Sequence, residues 1–155
     1  MAVAPRTRLL HPGSGRQALI VVRHDWLDSP PVQLRGRRYA LLAAHQRKRP
    51  DVTATAARRW IDAGASYICA RGPSAQETED AFDHASFIED HGLPLSFTLM
   101  TTAHDQESLE ETLWFAFYNA LHPSELPEPL DTVVIVVDKP ALAVVCETWI
   151  RSNRE

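Results

Sequence analysis

Thr132-Val133-Val134-Ile135-Val136-Val137 is the stretch on which the fold turns. All six side chains are β-branched, and nothing polar interrupts them after Thr132. A strand with one wet face alternates apolar and polar residues. An uninterrupted run belongs to a strand covered on both faces, as in a parallel sheet. Asp138 and Lys139 follow, and then Pro140, a residue suited to the first position of a helix. Leu142, Val145, Cys146, Trp149 and Ile150 recur at helical spacing behind it. The segment therefore reads as a strand, a short polar turn and an amphipathic helix.

The same unit recurs upstream. Ser108 and Glu111 have capping-box spacing, and the apolar stretch from Leu109 to Leu121 reads as a helix that must be largely buried. Leu95 to Met100 reads as the strand before it, ending at Thr101, Thr102, His104 and Asp105. Ser74 and Glu77 have the same capping-box spacing before a helix carrying Thr78, Ala81, Phe82, Ala85 and Ile88 on one face. Ser66 to Ala70 is a strand ending at Arg71 and Gly72. A helix from Thr53 to Ala63 precedes it and stops at Gly64, and Ala18 to Val22 is the first strand.

Four strand-then-helix units predict an α/β domain with about four mainly parallel strands and helices on both faces. The expected architecture is a small Rossmann-like or flavodoxin-like sandwich with its four strands in the order 2-1-3-4. A ferredoxin-like or mixed sheet is the alternative. Residues 1–16 read as an irregular arm, and 17–155 as one domain with a basic insertion at about 27–52. Within that insertion, Leu34 to Arg49 reads as a helix through Tyr39, Leu41, Leu42 and His45.

Composition narrows the function classes. The chain has 155 residues, 45% of them hydrophobic and 23% charged, with a formal net charge of -4. That is globular composition, and the charge argues against generic nucleic-acid binding. No apolar run approaches the roughly 18–20 residues of a membrane helix. Cys69 and Cys146 sit in apolar stretches without metal-ligand spacing, so buried thiols are expected and no metal site is assigned. Without a signal-peptide pattern, a cytoplasmic setting is expected. Neither a G-x-G-x-x-G loop, a phosphate-binding P-loop nor a G-x-S-x-G elbow occurs, and no cofactor is implied.

In open α/β sheets, ligands sit beyond the carboxyl ends of the strands, where strand order reverses. With order 2-1-3-4 that crevice lies between strands one and three. The residues there are His24 and Asp25 after strand one, and Thr101, Thr102, His104 and Asp105 after strand three. Arg71 and Asp138 come from the other two strands. An imidazole beside a carboxylate suits a general base, and the cations suit an anion. Arg35, Arg37, Arg38, Arg47, Lys48 and Arg49 form a basic block that reads as a solvated face or a contact for an anionic partner.

From Trp60 onward, several pieces stand together. They are Trp60-Ile61 with Gly64 and Tyr67, Ala70 with Gly72, and Asp83-His84-Ala85. Met100-Thr101-Thr102 with His104-Asp105, Leu109-Glu110-Glu111 followed by Leu113-Trp114-Phe115, and His122-Pro123 complete the set. On these pieces the chain resembles an uncharacterised bacterial domain family. The resemblance implies a compact α/β domain and no particular activity. Arg71 and Ala103 stand where that family carries tryptophan.

Three functions follow as expectations. The first is a binding module for a partner protein, a second copy or a small anionic ligand at the ends of strands one and three. The second is a small hydrolase or transferase using His24, Asp25, His104 and Asp105. The third is nucleic-acid binding through 35–49, which the net charge disfavours.

Overall fold

The structure, a computed structural model, describes residues 6–23, 27, 30, 37–48, 52–87, 95–120 and 123–152. Among the described residues, six strands and four helices follow one another. They are β1 (Arg6–Leu10), β2 (Gln17–Val22), β3 (Tyr39–Ala44), α1 (Ala54–Asp62), β4 (Ala65–Arg71), α2 (Ala75–Phe87), β5 (Met100–His104), α3 (Leu109–Tyr118), β6 (Thr132–Val137) and α4 (Pro140–Ser152). The sheet order is β1-β2-β6-β3-β4-β5. β1 is antiparallel to β2, and every other pairing is parallel.

β6 lies between β2 and β3, with Ile135 opposite Ile20 on one side and Leu42 on the other. Its alternation explains the unbroken apolar run. Val133, Ile135 and Val137 face a core closed by Leu109, Leu113 and Phe117 of α3 and by Cys146 and Ile150 of α4. Val134 and Val136 face a second core with Trp60 and Ile61 of α1 and Phe82 of α2. The molecule is thus a helix–sheet–helix sandwich, as the strand-then-helix units imply.

Local signals fall where expected. Thr53 Oγ1 accepts the Ala56 N–H at 3.1 Å, and Ser108 Oγ accepts the Glu111 N–H at 3.1 Å. Gly64 follows α1 at φ +119, and an added Cβ would lie 2.5 Å from the Arg37 carbonyl oxygen. α3 is not wholly covered: Trp114 is 52% exposed.

Four expectations are corrected. The strands among the described residues number six, not four. Arg6–Leu10 is a strand rather than irregular arm, pairing antiparallel from Arg6 opposite Val21 to Leu10 opposite Gln17. The stretch expected as a helix from Leu34 contains β3, whose six residues are all buried. The strand expected at Leu95 to Met100 begins instead at Met100; Thr101 and Thr102 belong to it.

The order 2-1-3-4 is also overturned. Of the four strands expected from sequence, the first and fourth (β2 and β6) are neighbours, as are the second and third (β4 and β5), and β3 lies between these pairs. The physical reason is burial. β6, apolar on both faces, takes an interior place, whereas β5, with Met100 exposed and Thr101 and Thr102 part-exposed, takes an edge.

Candidate functional site

The first and third expected strands, β2 and β5, are separated by β6, β3 and β4. Four spacings of about 4.8 Å put their ends about 19 Å apart. The expected crevice between them is therefore not formed by neighbouring strands. His24 and Asp25 lie outside the described residues, as do Arg35 and Arg49.

His104 ends β5 and is 4% exposed. Its Nδ1 lies 3.0 Å from Glu107 Oε2 and its Nε2 2.8 Å from Thr102 Oγ1. The Glu107 carboxylate can only accept, so Nδ1 carries a proton. The ring centroid is 4.7 Å from that of Phe115. Both nitrogens are engaged, so the side chain fastens β5 to α3 rather than presenting a base. Thr101 Oγ1 donates to Asp83 Oδ1 at 2.6 Å, tying the same strand to α2. Asp105 is exposed.

The reversal of crossovers falls elsewhere. α1, after β3, packs on one face of the sheet, and α4, after β6, packs on the other. β3 and β6 are neighbours, so the carboxyl-end crevice of this fold lies between them. Asp138, the first residue past β6, reaches across it and is 7% exposed. Its Oδ1 accepts the Gln46 N–H at 2.9 Å and its Oδ2 the Arg47 N–H at 3.2 Å.

The turn after β3 is held from the other side as well. His45 is fully buried. Its Nε2 accepts the Ser74 N–H at 3.2 Å, so in the neutral ring Nδ1 carries the proton and donates to the Arg47 carbonyl at 2.7 Å. The helix α2 begins directly behind Ser74. The Ser74 N–H donates to this histidine, an arrangement that differs from the expected capping box, where Glu77 would accept that N–H. Gly72, at φ +120, lets the two strand ends touch, because a Cβ there would collide with the His45 carbonyl and lie 2.8 Å from its ring.

Cations crowd this rim. Arg23 follows β2, Lys139 lies past β6, Arg47 and Lys48 past β3, and Arg71 ends β4. Four adjacent strands thus each end in a positive side chain. Among the described residues immediately past them, Asp138 is the one acid, and it accepts the Gln46 and Arg47 amides. The basic block itself does not form one face. Arg37 and Arg38 precede β3 and Arg47 and Lys48 follow it, so a buried strand divides them between opposite rims. His45 and Gly72 escape a reading by composition, although a glycine directly after a strand was a usable signal.

Cys69 and Cys146 are buried, and burial pushes both thiols up to about 12. Among the described residues, no group of three or more His, Cys, Asp or Glu is placed to hold a metal ion. No described helix is long and apolar enough to cross a membrane.

A family profile described as a domain of unknown function (DUF7684) matches residues 20–149, from β2 to α4. No curated protein and no solved structure matches the chain. The match spans both cores and the whole cationic rim, and on that extent the chain belongs to the DUF7684 family.

Proposed function

We propose that this chain is a Rossmann-like binding module of the bacterial cytoplasm that holds a small anion on the carboxyl rim of β6, β3 and β4. One observation carries the reading. Arg23, Lys139, Arg47, Lys48 and Arg71 end four adjacent strands, five cations beside the single described acid, Asp138, which accepts the Gln46 and Arg47 amides. Asp138 is then a positioning residue, which fixes the loop that carries Arg47 and Lys48. A rim lined by one sign of charge raises the local concentration of the opposite sign. The rim also lies at the crossover reversal, where folds of this architecture bind ligands. The engaged nitrogens of His104 supply no support for the hydrolase or transferase alternative.

The test is titration of the protein with inorganic phosphate and pyrophosphate, followed by amide NMR at low and raised salt. The expected result is saturable shifts at Gln46, Arg47 and Lys139 that weaken with salt. An Arg47→Glu, Lys139→Glu double variant, altering one exposed and one half-buried side chain, should bind about tenfold more weakly or worse. Absence of saturable shifts at millimolar anion, or unchanged binding by the double variant, overturns the reading.

A further inference from the structure

We infer that the opposite rim of the sheet carries a second, separate ligand site, for a small zwitterion of the amino-acid class with a flat apolar side chain. A cavity of about 390 Å³ opens where the chain enters β3 and β6. That volume falls within the span of about 300–1,000 Å³ usual for small-molecule sites. β3 separates it from the cationic rim by about 20 Å, the length of six extended residues.

The lining sorts into three chemistries. Leu126, Pro127 and Pro129 form an apolar wall, Arg37 and Arg38 supply two cations, and Glu128 and Asp131 supply two carboxylates. A phosphate ester or other polyanion would meet both carboxylates, and a simple amine would meet both guanidinium groups. A molecule bearing one carboxylate and one ammonium matches each pair, and a flat apolar side chain suits the proline wall.

The site is built rather than collapsed. The Arg38 guanidinium lies 4.5 Å from the Phe97 ring centroid and donates to Ser66 Oγ at 3.4 Å, which fixes its direction. Asp131 is anchored through its carbonyl, which accepts the Gln17 N–H at 2.8 Å, and through Oδ1, which accepts from Thr132 Oγ1 at 3.2 Å. The loop is pinned further by the Leu126 N–H on the Pro123 carbonyl at 3.0 Å and by Thr98 Oγ1 on Glu125 Oε1 at 2.9 Å. Arg37, in contrast, meets Asp131 Oδ2 at 3.8 Å with both side chains more than half exposed. A charge-assisted bond is nearer 2.7–2.9 Å. This exposed, stretched pair is weak enough for a ligand's carboxylate and ammonium to replace it.

L-phenylalanine and L-tryptophan are the probes, read by amide NMR and calorimetry on the intact chain. Phenethylamine and 3-phenylpropanoate each lack one charge. The expected result is saturable shifts at Arg37, Arg38, Leu126 and Asp131 with either amino acid. Each half-charged probe, and each of the exposed-site variants Arg37→Ala and Asp131→Ala, should bind about tenfold more weakly or worse. The inference falls if neither amino acid shifts these residues at millimolar concentration. It falls equally if 3-phenylpropanoate binds as tightly as phenylalanine, or if the shifts map to Gln46 and Lys139 instead. Phosphate binding at the other rim, found or not, leaves this outcome unaffected.

Discussion

Replacing Gly72 by alanine should destabilise the protein far more than replacing Gly15, although both glycines have positive φ (+120 and +71). Alanine in a left-handed backbone costs on the order of 1–2 kcal/mol at either position. At Gly15 nothing lies within 4 Å of the added carbon, so that conformational cost is the whole effect. At Gly72 the carbon meets the His45 backbone carbonyl and the His45 ring at 2.8 Å, in a turn already fixed by Asp138 and Ser74. Forcing such an overlap apart adds about 1–3 kcal/mol, for a total of about 2–5 kcal/mol at Gly72. Urea unfolding followed by circular dichroism measures this directly. With a slope of about 2 kcal/mol per molar, the midpoint should fall by about 1–2.5 M for Gly72→Ala and by about 0.5–1 M for Gly15→Ala. Adding His45→Ala should not restore stability, because the nearest obstacle is a carbonyl. Equal midpoint shifts for the two glycine variants would refute the close approach of the β3 and β4 ends.

Other perturbations probe the rest of the structure. His11 is fully buried against Trp149 and Phe117, and burial lowers its pKa below 6.5. The unfolded chain therefore binds this proton at higher pH than the folded one, so stability should fall as pH drops below about 6.5. His11→Phe should flatten that decline between pH 7.5 and 5.5; an unchanged slope would rule the histidine out. Arg16 Nη1 donates to the Ala116 and Ala120 carbonyls at 3.1 and 3.0 Å, closing the C-terminal end of α3. Arg16→Met should cost about 1–3 kcal/mol by leaving those acceptors unpaired, and a neutral unfolding curve would contradict the contact. With both thiols held near 12, Cys69 and Cys146 should resist Ellman's reagent at pH 8 and react fully once the chain is unfolded in urea. Rapid labelling of the native protein would show that one of them is reachable.

The first and third expected strands are not neighbours, for a reason visible in particular residues. His24-Asp25 and His104-Asp105 look alike in sequence, and a dipeptide carries no information about which strand will lie beside it. His104 proved to be flanked by Thr102 and Glu107, two and three positions away, which consume its nitrogens. Asp138 was legible as a strand-end acid. That it grips the Gln46 and Arg47 amides depends on β6 lying against β3, and that pairing is not written in either segment alone.

Periodicity and capping are local, and they are what the sequence by itself determined: the α/β class, the start of α1 behind Thr53 and of α3 behind Ser108, and the burial of both faces of Thr132 to Val137. β3 shows the limit of such reasoning. Tyr39, Leu41, Leu42 and His45 fit a helical face as well as a buried strand, and the arginines on either side favour neither. The tertiary structure decided between them, because an all-apolar segment flanked by charge is stable where both its faces and both its edges are covered, here by β6, β4 and two helix layers. Strand order, the division of the described arginines and lysines of the basic block between two opposed rims, and the distant partners of His45 and Asp138 follow from that long-range choice. Hydrogen bonding between strands specifies no sequence at a distance, whereas side-chain burial selects among the arrangements only once the chain is assembled.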